Sequence, residues 1–202
     1  MSNIGKEFES RVMLTEEEYL NIVSFYMRES PNLHFLQNTN IYFDSDDLYL
    51  RRSHITLRIR IINDASCELT CKIKGENGDQ EINDDLTKKE RELLLKEGVF
   101  PEGMVKNHLL TLSYPLNVYH VIATLYNRRL EIQYDDHLLV IDKNTYGDVV
   151  DYNLEIETKD NISSANAKLN EYIKRFNLSL QKQKYIGKAS RAILEATKKT
   201  NC

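Results

Sequence analysis

What most constrains this sequence is how its alternating segments are charged. A β-strand points successive side chains to opposite faces, and an ordinary two-layer sheet turns a mixed polar face to water. Here the polar positions are dominated by formal charge and sorted locally by sign. Glu7, Glu9 and Arg11 alternate with Phe8 and Val12. Arg58 and Arg60 share a face opposite Leu57, Ile59 and Ile61, and Glu68, Thr70, Lys72 and Lys74 oppose Leu69, Cys71 and Ile73. Further on, Arg129 and Glu131 oppose Leu130 and Ile132, Asp142 lies opposite Ile141, and Glu155 and Glu157 lie opposite Leu154 and Ile156.

Any one such face reads most simply as solvated. Taken together the faces compete with a second demand, because the chain also carries helices with apolar stripes to bury. Thr15-Glu16-Glu17-Glu18 and Thr87-Lys88-Lys89-Glu90 are capping boxes, in which a threonine and a glutamate three residues on satisfy each other's backbone N–H groups. They open helices over Tyr19–Arg28 and up to Glu97, where Gly98 ends the second. Ile162 to Phe176 is helical by period, 102–112 is a short helix, and the C-terminal tail is helical. Such helices cover the apolar sheet face, which leaves the charged face either bare to water or wrapped around something. A sheet closed on itself would make the charged face the lining of a tunnel, with the helices packed outside.

A lining of this composition has a definite chemistry. Glu7, Glu9, Asp142, Glu155 and Glu157 are hard oxygen donors without accompanying Cys or His, a set suited to Mg²⁺ or Mn²⁺ rather than zinc. Arg11, Arg58, Arg60, Lys72, Lys74 and Arg129 suit phosphate oxygens, arginine as a bidentate donor and lysine as a point charge. Both sets in one cavity describe a polyanion site bridged by divalent cations, for which a triphosphate has the natural size.

The rest of the chain is consistent with a single domain over 1–202. Its 202 residues are 41% hydrophobic, enough for a real core. A net charge of −4 gives no reason to expect nucleic-acid binding. No apolar run reaches the length of a membrane span, and MSNIGKEFES lacks the apolar stretch of a signal peptide, so a cytoplasmic protein is expected. Cys67 and Cys71 lie four apart in one strand, too far for a disulfide, and with Cys202 are read as thiols. Strands are expected at Ile4–Leu14, Phe35–Phe43, Ile55–Ile62, Glu68–Lys74, weakly near Glu81, then Val118–Gln133, Leu138–Tyr146, Val149–Thr158 and near Leu178–Lys184.

In this order the segments resemble one family. Glu7-Phe8-Glu9-Ser10-Arg11 resembles the E-x-E-x-K signature that opens CYTH-domain proteins, the triphosphate tunnel metalloenzymes. Asn40-Ile41-Tyr42-Phe43-Asp44 is similar to their N-x-Y-F-D segment, Leu57-Arg58-Ile59-Arg60 to L-R-x-R, and Leu69-Thr70-Cys71-Lys72 to L-T-x-K. Leu139-Val140-Ile141-Asp142 and Tyr152-Asn153-Leu154-Glu155-Ile156-Glu157 resemble the acidic strands, and the tail from Lys184 to Arg191 resembles the late K-x-x-R element. Two positions depart from the pattern: Arg11 replaces the signature lysine, and Tyr126 stands where relatives often carry another base.

The resemblance implies an α+β fold, an eight-stranded antiparallel β-barrel forming a tunnel with a polar lumen and helices outside. It implies a hydrolase of inorganic, thiamine or nucleoside triphosphate that uses Mg²⁺ or Mn²⁺. The metal ligands would be Glu7, Glu9, Asp142, Glu155 and Glu157. Phosphate would be held by Arg11, Arg58, Arg60, Lys72, Lys74, Arg129, Lys184 and Lys188, with Arg58 and Lys72 stabilising charge in the reaction. Partners are a small-molecule triphosphate, with neither nucleic acid nor membrane, for a monomer or homodimer. The alternatives are an adenylyl cyclase making cyclic AMP and a non-catalytic binder of polyphosphate or nucleotide.

Overall fold

A computed structural model describes residues 3–75, 78–112, 114–180 and 186–200, with side chains described from Phe8 to Lys198 within those ranges. Eight strands form its frame: β1 (Asn3–Leu14), β2 (Leu36–Asp44), β3 (Ile55–Ile62), β4 (Ser66–Ile73), β5 (Asp79–Asp85), β6 (His120–Gln133), β7 (Leu138–Tyr146) and β8 (Val149–Thr158). Every neighbouring pair is antiparallel, and the pairing order β1-β5-β4-β3-β2-β6-β7-β8 closes into a barrel. Closure runs through β1, whose residues 3–7 pair with β5 and whose residues 8–14 pair with β8. Short turns produce the hairpins. Asn63 and Asp64 both adopt positive φ between β3 and β4, as residue types that tolerate the left-handed region do.

Register fixes the two faces. Arg58 opposes Thr70, Arg11 opposes Glu155, and Arg129 opposes Asp142, so the charged rows of separate strands point to the same side of the ring. Their apolar alternates point the other way and are covered by helices. On one flank Leu57, Ile59, Leu69 and Ile82 meet Leu94 of α3 (Lys88–Glu97) and Val105 and Leu109 of α4 (Met104–Thr111). This cluster also takes in Leu50 of the one-turn helix α2 (Tyr49–Arg52). On the other flank Leu130, Ile141, Leu154 and Ile156 meet Tyr19 and Ile22 of α1 (Glu16–Glu29) and Leu169 of α5 (Ile162–Phe176). Each fully buried aliphatic side chain contributes about 1.5–3 kcal/mol by leaving water. The helices start where the sequence says they should: both capping boxes form, and Gly98 ends α3 at φ 68°.

α6 (Lys188–Thr200) packs differently. Its Ala192 and Ile193 contact Tyr42, Ala123, Leu125 and Tyr146. Tyr42 alternates with Ile41 and Phe43 of the outer cluster, Leu125 shares a face with Asn127 and Arg129, and Tyr146 with Asp142 and Asn144. These are inward positions. Four longer helices lie outside the barrel as the sequence suggests, while the last one lies against its lining. The extended piece expected near Leu178–Lys184 has no strand over 178–180, and 181–185 fall outside the described residues.

Candidate metal and phosphate site

The charged rows converge on a cavity of about 200 Å³. Its acidic side comes from β1 and β8. Glu9 and Glu157 are register partners, as are Arg11 and Glu155, and alternation puts all four side chains inside. Carboxylate oxygens of Glu9, Glu155 and Glu157 lie within 4.8 Å of one another. Glu155 is almost fully buried, at 1% exposure.

These carboxylates are compensated by cations of the chain itself. Arg11 pairs with Glu9 and, at 3.3 Å, with Glu155. Lys188 of α6 reaches Glu155 at 2.7 Å and also pairs with Asp142. Arg129 holds Asp142 through two bonds of 2.9 and 3.0 Å. Burial alone would raise the Glu155 pKa, yet Lys188, Arg11 and Arg129 pull it down to about 2 against the neighbouring charge of Asp142. Asp142 is likewise driven well below the usual carboxylate range: burial opposes ionisation, and Arg129 and Lys188 outweigh it.

The basic side comes from β3 and β4. Arg58, Arg60, Lys72 and Lys74 all line the cavity. Lys72 sits among Glu81, Asp79 and Glu9 at 3.2, 3.4 and 3.6 Å. Burial would lower its pKa, but those three carboxylates hold the ammonium well above the lysine range. Arg60 moves the other way, down to about 10, through burial and then repulsion from Arg58 and Arg129. The buried Nε of Arg58 has no hydrogen-bond partner among the described residues. Such an unsatisfied donor is costly to keep out of water.

Of the residues expected from sequence, Glu9, Glu155 and Glu157 come together with Arg11, Arg58, Arg60, Lys72, Lys74, Arg129 and Lys188 around one space. Asp142 is inside the barrel but outside the three-carboxylate group, taken up by Arg129 and Lys188. Glu7 lies on β1 opposite Asp79; its side chain, and the whole of Lys184, fall outside what is described. Sequence reasoning missed Asp79 and Glu81, which line the cavity from β5. Their strand, DQEINDD, has one aliphatic residue, too few to show alternation, although Glu81 sits one residue before Ile82 as an inward residue should.

A chain of amides also went unread. Asn38 donates to Asn127 at 3.0 Å, Asn127 to Asn144 at 2.9 Å, and Asn144 to Asn153 and Asp151 at 2.8 and 2.9 Å. Arg191 of α6 grips the same Asp151 at 2.7 and 3.0 Å. All four asparagines are buried, and only uncharged residue types signal them.

The described residues thus form a closed antiparallel ring whose lining sets a carboxylate triad against a bank of guanidinium and ammonium groups. The pattern of the CYTH domain family matches residues 5–183, and the chain belongs to that family. A Bacillus subtilis protein named "Putative triphosphatase YjbK" is 31% identical over 154 residues, covering 76% of this chain and 78% of that protein. A crystal structure from Bacillus halodurans, described as "a putative adenylate cyclase (bh2851)", superposes with a TM-score of 0.82 at 29% identity over 93% of this chain and 97% of that one. The Hippeastrum protein HpAC1, described as a "putative adenylyl cyclase" that reveals a dominant triphosphatase activity, shares the fold at a TM-score of 0.71 and 16% identity, over 88% and 92% of the two chains.

Proposed function

We propose that this chain is a divalent-metal-dependent hydrolase of triphosphate-bearing small molecules. The observation that carries the reading is the meeting of the Glu9–Glu155–Glu157 group with Arg58, Arg60 and Lys72 around one cavity. Family membership and the triphosphatase name of the Bacillus subtilis relative support it. The oxygen-only donor set fits Mg²⁺ or Mn²⁺, and no His or Cys joins it among the described residues. Glu9, Glu155 and Glu157 would hold the ion, with Glu7 as a further ligand from its place in the signature. When bound, it supplies neutralisation of phosphate charge and a more acidic water.

The chain's own groups do the rest. Arg58 and Arg60 hold the phosphate chain as bidentate donors, and Lys72 adds a fixed positive charge. As a water oxygen bonds to the terminal phosphorus, the bridging P–O bond breaks. The products are free phosphate, the shortened chain and a proton released to water. Negative charge shifts to the leaving oxygens, where preorganised cations stabilise it more than in the ground state. Arg11 cannot act as a base, since guanidinium stays protonated in proteins; here it ties Glu9 to Glu155. Asp142 orients Arg129 and Lys188.

The test is incubation of the protein with inorganic, thiamine and nucleoside triphosphates, with Mg²⁺ or Mn²⁺, followed by separation of phosphate from cyclic AMP. Metal-dependent phosphate release is expected. Cyclic AMP as the main product, or calorimetric binding with no turnover of any substrate, would overturn the assignment.

A further inference from the structure

A second recess lies outside the tunnel. On β2, β6 and β7 the register sets Thr39 beside Tyr126 and Tyr126 beside Thr145, with Arg128 beside Lys143 one step along. The residues alternating with them, Asn127 and Asn144, are buried amides of the lumen, so this second set points outward. Tyr126 is 59% exposed and joins none of the apolar clusters beneath the helices. Arg128 is exposed too, and Thr39, Lys143 and Thr145 are partly so. Together with Asp64 of the β3–β4 turn they line a recess of about 260 Å³. It shares no described lining residue with the tunnel cavity.

Two cations dominate this recess. Arg128 and Lys143 are register partners on neighbouring strands, and like charges directly opposite each other cost stability. Among the described residues neither side chain makes an ion pair or a hydrogen bond. Each is instead steadied by a ring. The Arg128 guanidinium carbon lies 3.6 Å from the Phe35 ring centroid, and Lys143 Nζ lies 5.7 Å from that of Tyr152. Their N–H donors are thus oriented without being used. We propose that the recess binds a mononucleotide, with its phosphate between Arg128 and Lys143 and its base on Tyr126. A phosphate monoester carries a charge of about −2 at neutral pH, which two cations match, and it removes the repulsion between them. The exposed Tyr126 ring offers a flat face for a base, a stacking that needs no particular sequence of donors. The hydroxyls of Thr39 and Thr145 flank that ring, and Asp64, the one acid in the described lining, accepts from sugar hydroxyls. None of this depends on the triphosphatase reading, since the site lies on the other side of the wall.

The experiment is calorimetric titration of the full-length protein with AMP, without added metal, and with inorganic phosphate and adenosine as its two halves. Saturable binding of AMP is expected, tighter than that of either half by about fivefold or more. Lys143→Ala and Arg128→Ala should each weaken AMP binding by about tenfold. Tyr126→Ser should weaken it by about fivefold or more and leave the binding of inorganic phosphate unchanged. Arg58→Ala, which alters the tunnel, should leave AMP binding at native strength. No binding of AMP by the native protein overturns the inference, and so does inorganic phosphate binding as tightly as AMP. Loss of AMP binding in Arg58→Ala with native binding in Lys143→Ala would move the nucleotide into the tunnel and overturn it equally. Because Arg128 also rests on Phe35, Lys143→Ala and Tyr126→Ser decide the matter if Arg128→Ala fails to fold: unchanged AMP binding in both overturns the site. Every readout here is binding, so the triphosphatase reading can fail by itself.

Discussion

On the β1–β8 side of the cavity, Glu9 and Glu155 are already met by Arg11, Lys72, Lys188 and Arg129. On the β3 side, among the described residues, Arg58 keeps a buried Nε without a hydrogen-bond partner, and Arg60 reaches Asn40 and Glu68, both at 3.4 Å. The acidic side is balanced by tethered cations of the chain itself. The β3 arginines are the more loosely compensated cations of the lining, as suits a site for an anion. In the proposed function the two would be linked: Lys188 and Arg11, which compensate Glu155 in the free protein, would be available to phosphate once Glu9, Glu155 and Glu157 held the ion, so that each ligand would favour the other.

Four measurements bear on this contrast. The largest effect is expected from Asp142→Asn, which removes the fully buried anion shared by Arg129 and Lys188 and leaves Glu155 to compensate both; the free protein should lose about 3–5 kcal/mol in denaturant unfolding. A loss under about 1 kcal/mol would show that the acidic side is not held by these pairs. Glu157→Gln should leave stability nearly intact and cut metal-dependent hydrolysis by about 10²–10³. Turnover close to native would remove Glu157 from the site.

Arg58→Ala should raise the stability of the free protein by about 1 kcal/mol, since it deletes an unsatisfied buried donor. The same change should weaken triphosphate binding by about tenfold or more; destabilisation with unchanged binding would reverse the assignment of this side. The gentlest effect is acid titration of the free protein. The folded-state pKa of Glu155 lies near 2, below its ordinary 4.5, so its stabilisation is complete above about pH 4.5 and is lost as pH falls towards 2. Unfolding midpoints that stay flat across that window would show that the carboxylate is not paired in solution.

Much of this architecture could be read from residues. β3, β7, β8 and α5 run over the segments expected, because strict alternation or a clean helical period left no competing register. The charged rows led to Glu9, Glu155, Glu157, Arg58, Arg60 and Lys72, which do share one cavity. β5 was only faintly legible, since polar residues on both sides of Ile82 imitate a loop and hid Asp79 and Glu81. The inward seat of α6 was not legible. Its stripe of Ala189, Ala192, Ile193 and Ala196 matches any helix on an outer sheet face, and only the three-dimensional ring shows which face it meets. The asparagine chain escaped for a related reason: an amide row has no sign to sort, so its pairing appears only once four strands are in register.

The seam through β1 has a consequence for how the molecule comes into being. Arg11 and Glu155 are separated by 144 positions in the chain, and the ladder they belong to is the one that shuts the ring. During synthesis the amino-terminal strand emerges first, and its second half finds no neighbour until β8 has left the ribosome. A closure between such distant segments carries a large loop entropy and slows folding. Glu9 stands on one lip of that seam, with Glu155 and Glu157 on the other. The cluster is therefore born only with the last stitch, and no nascent fragment short of β8 can assemble it.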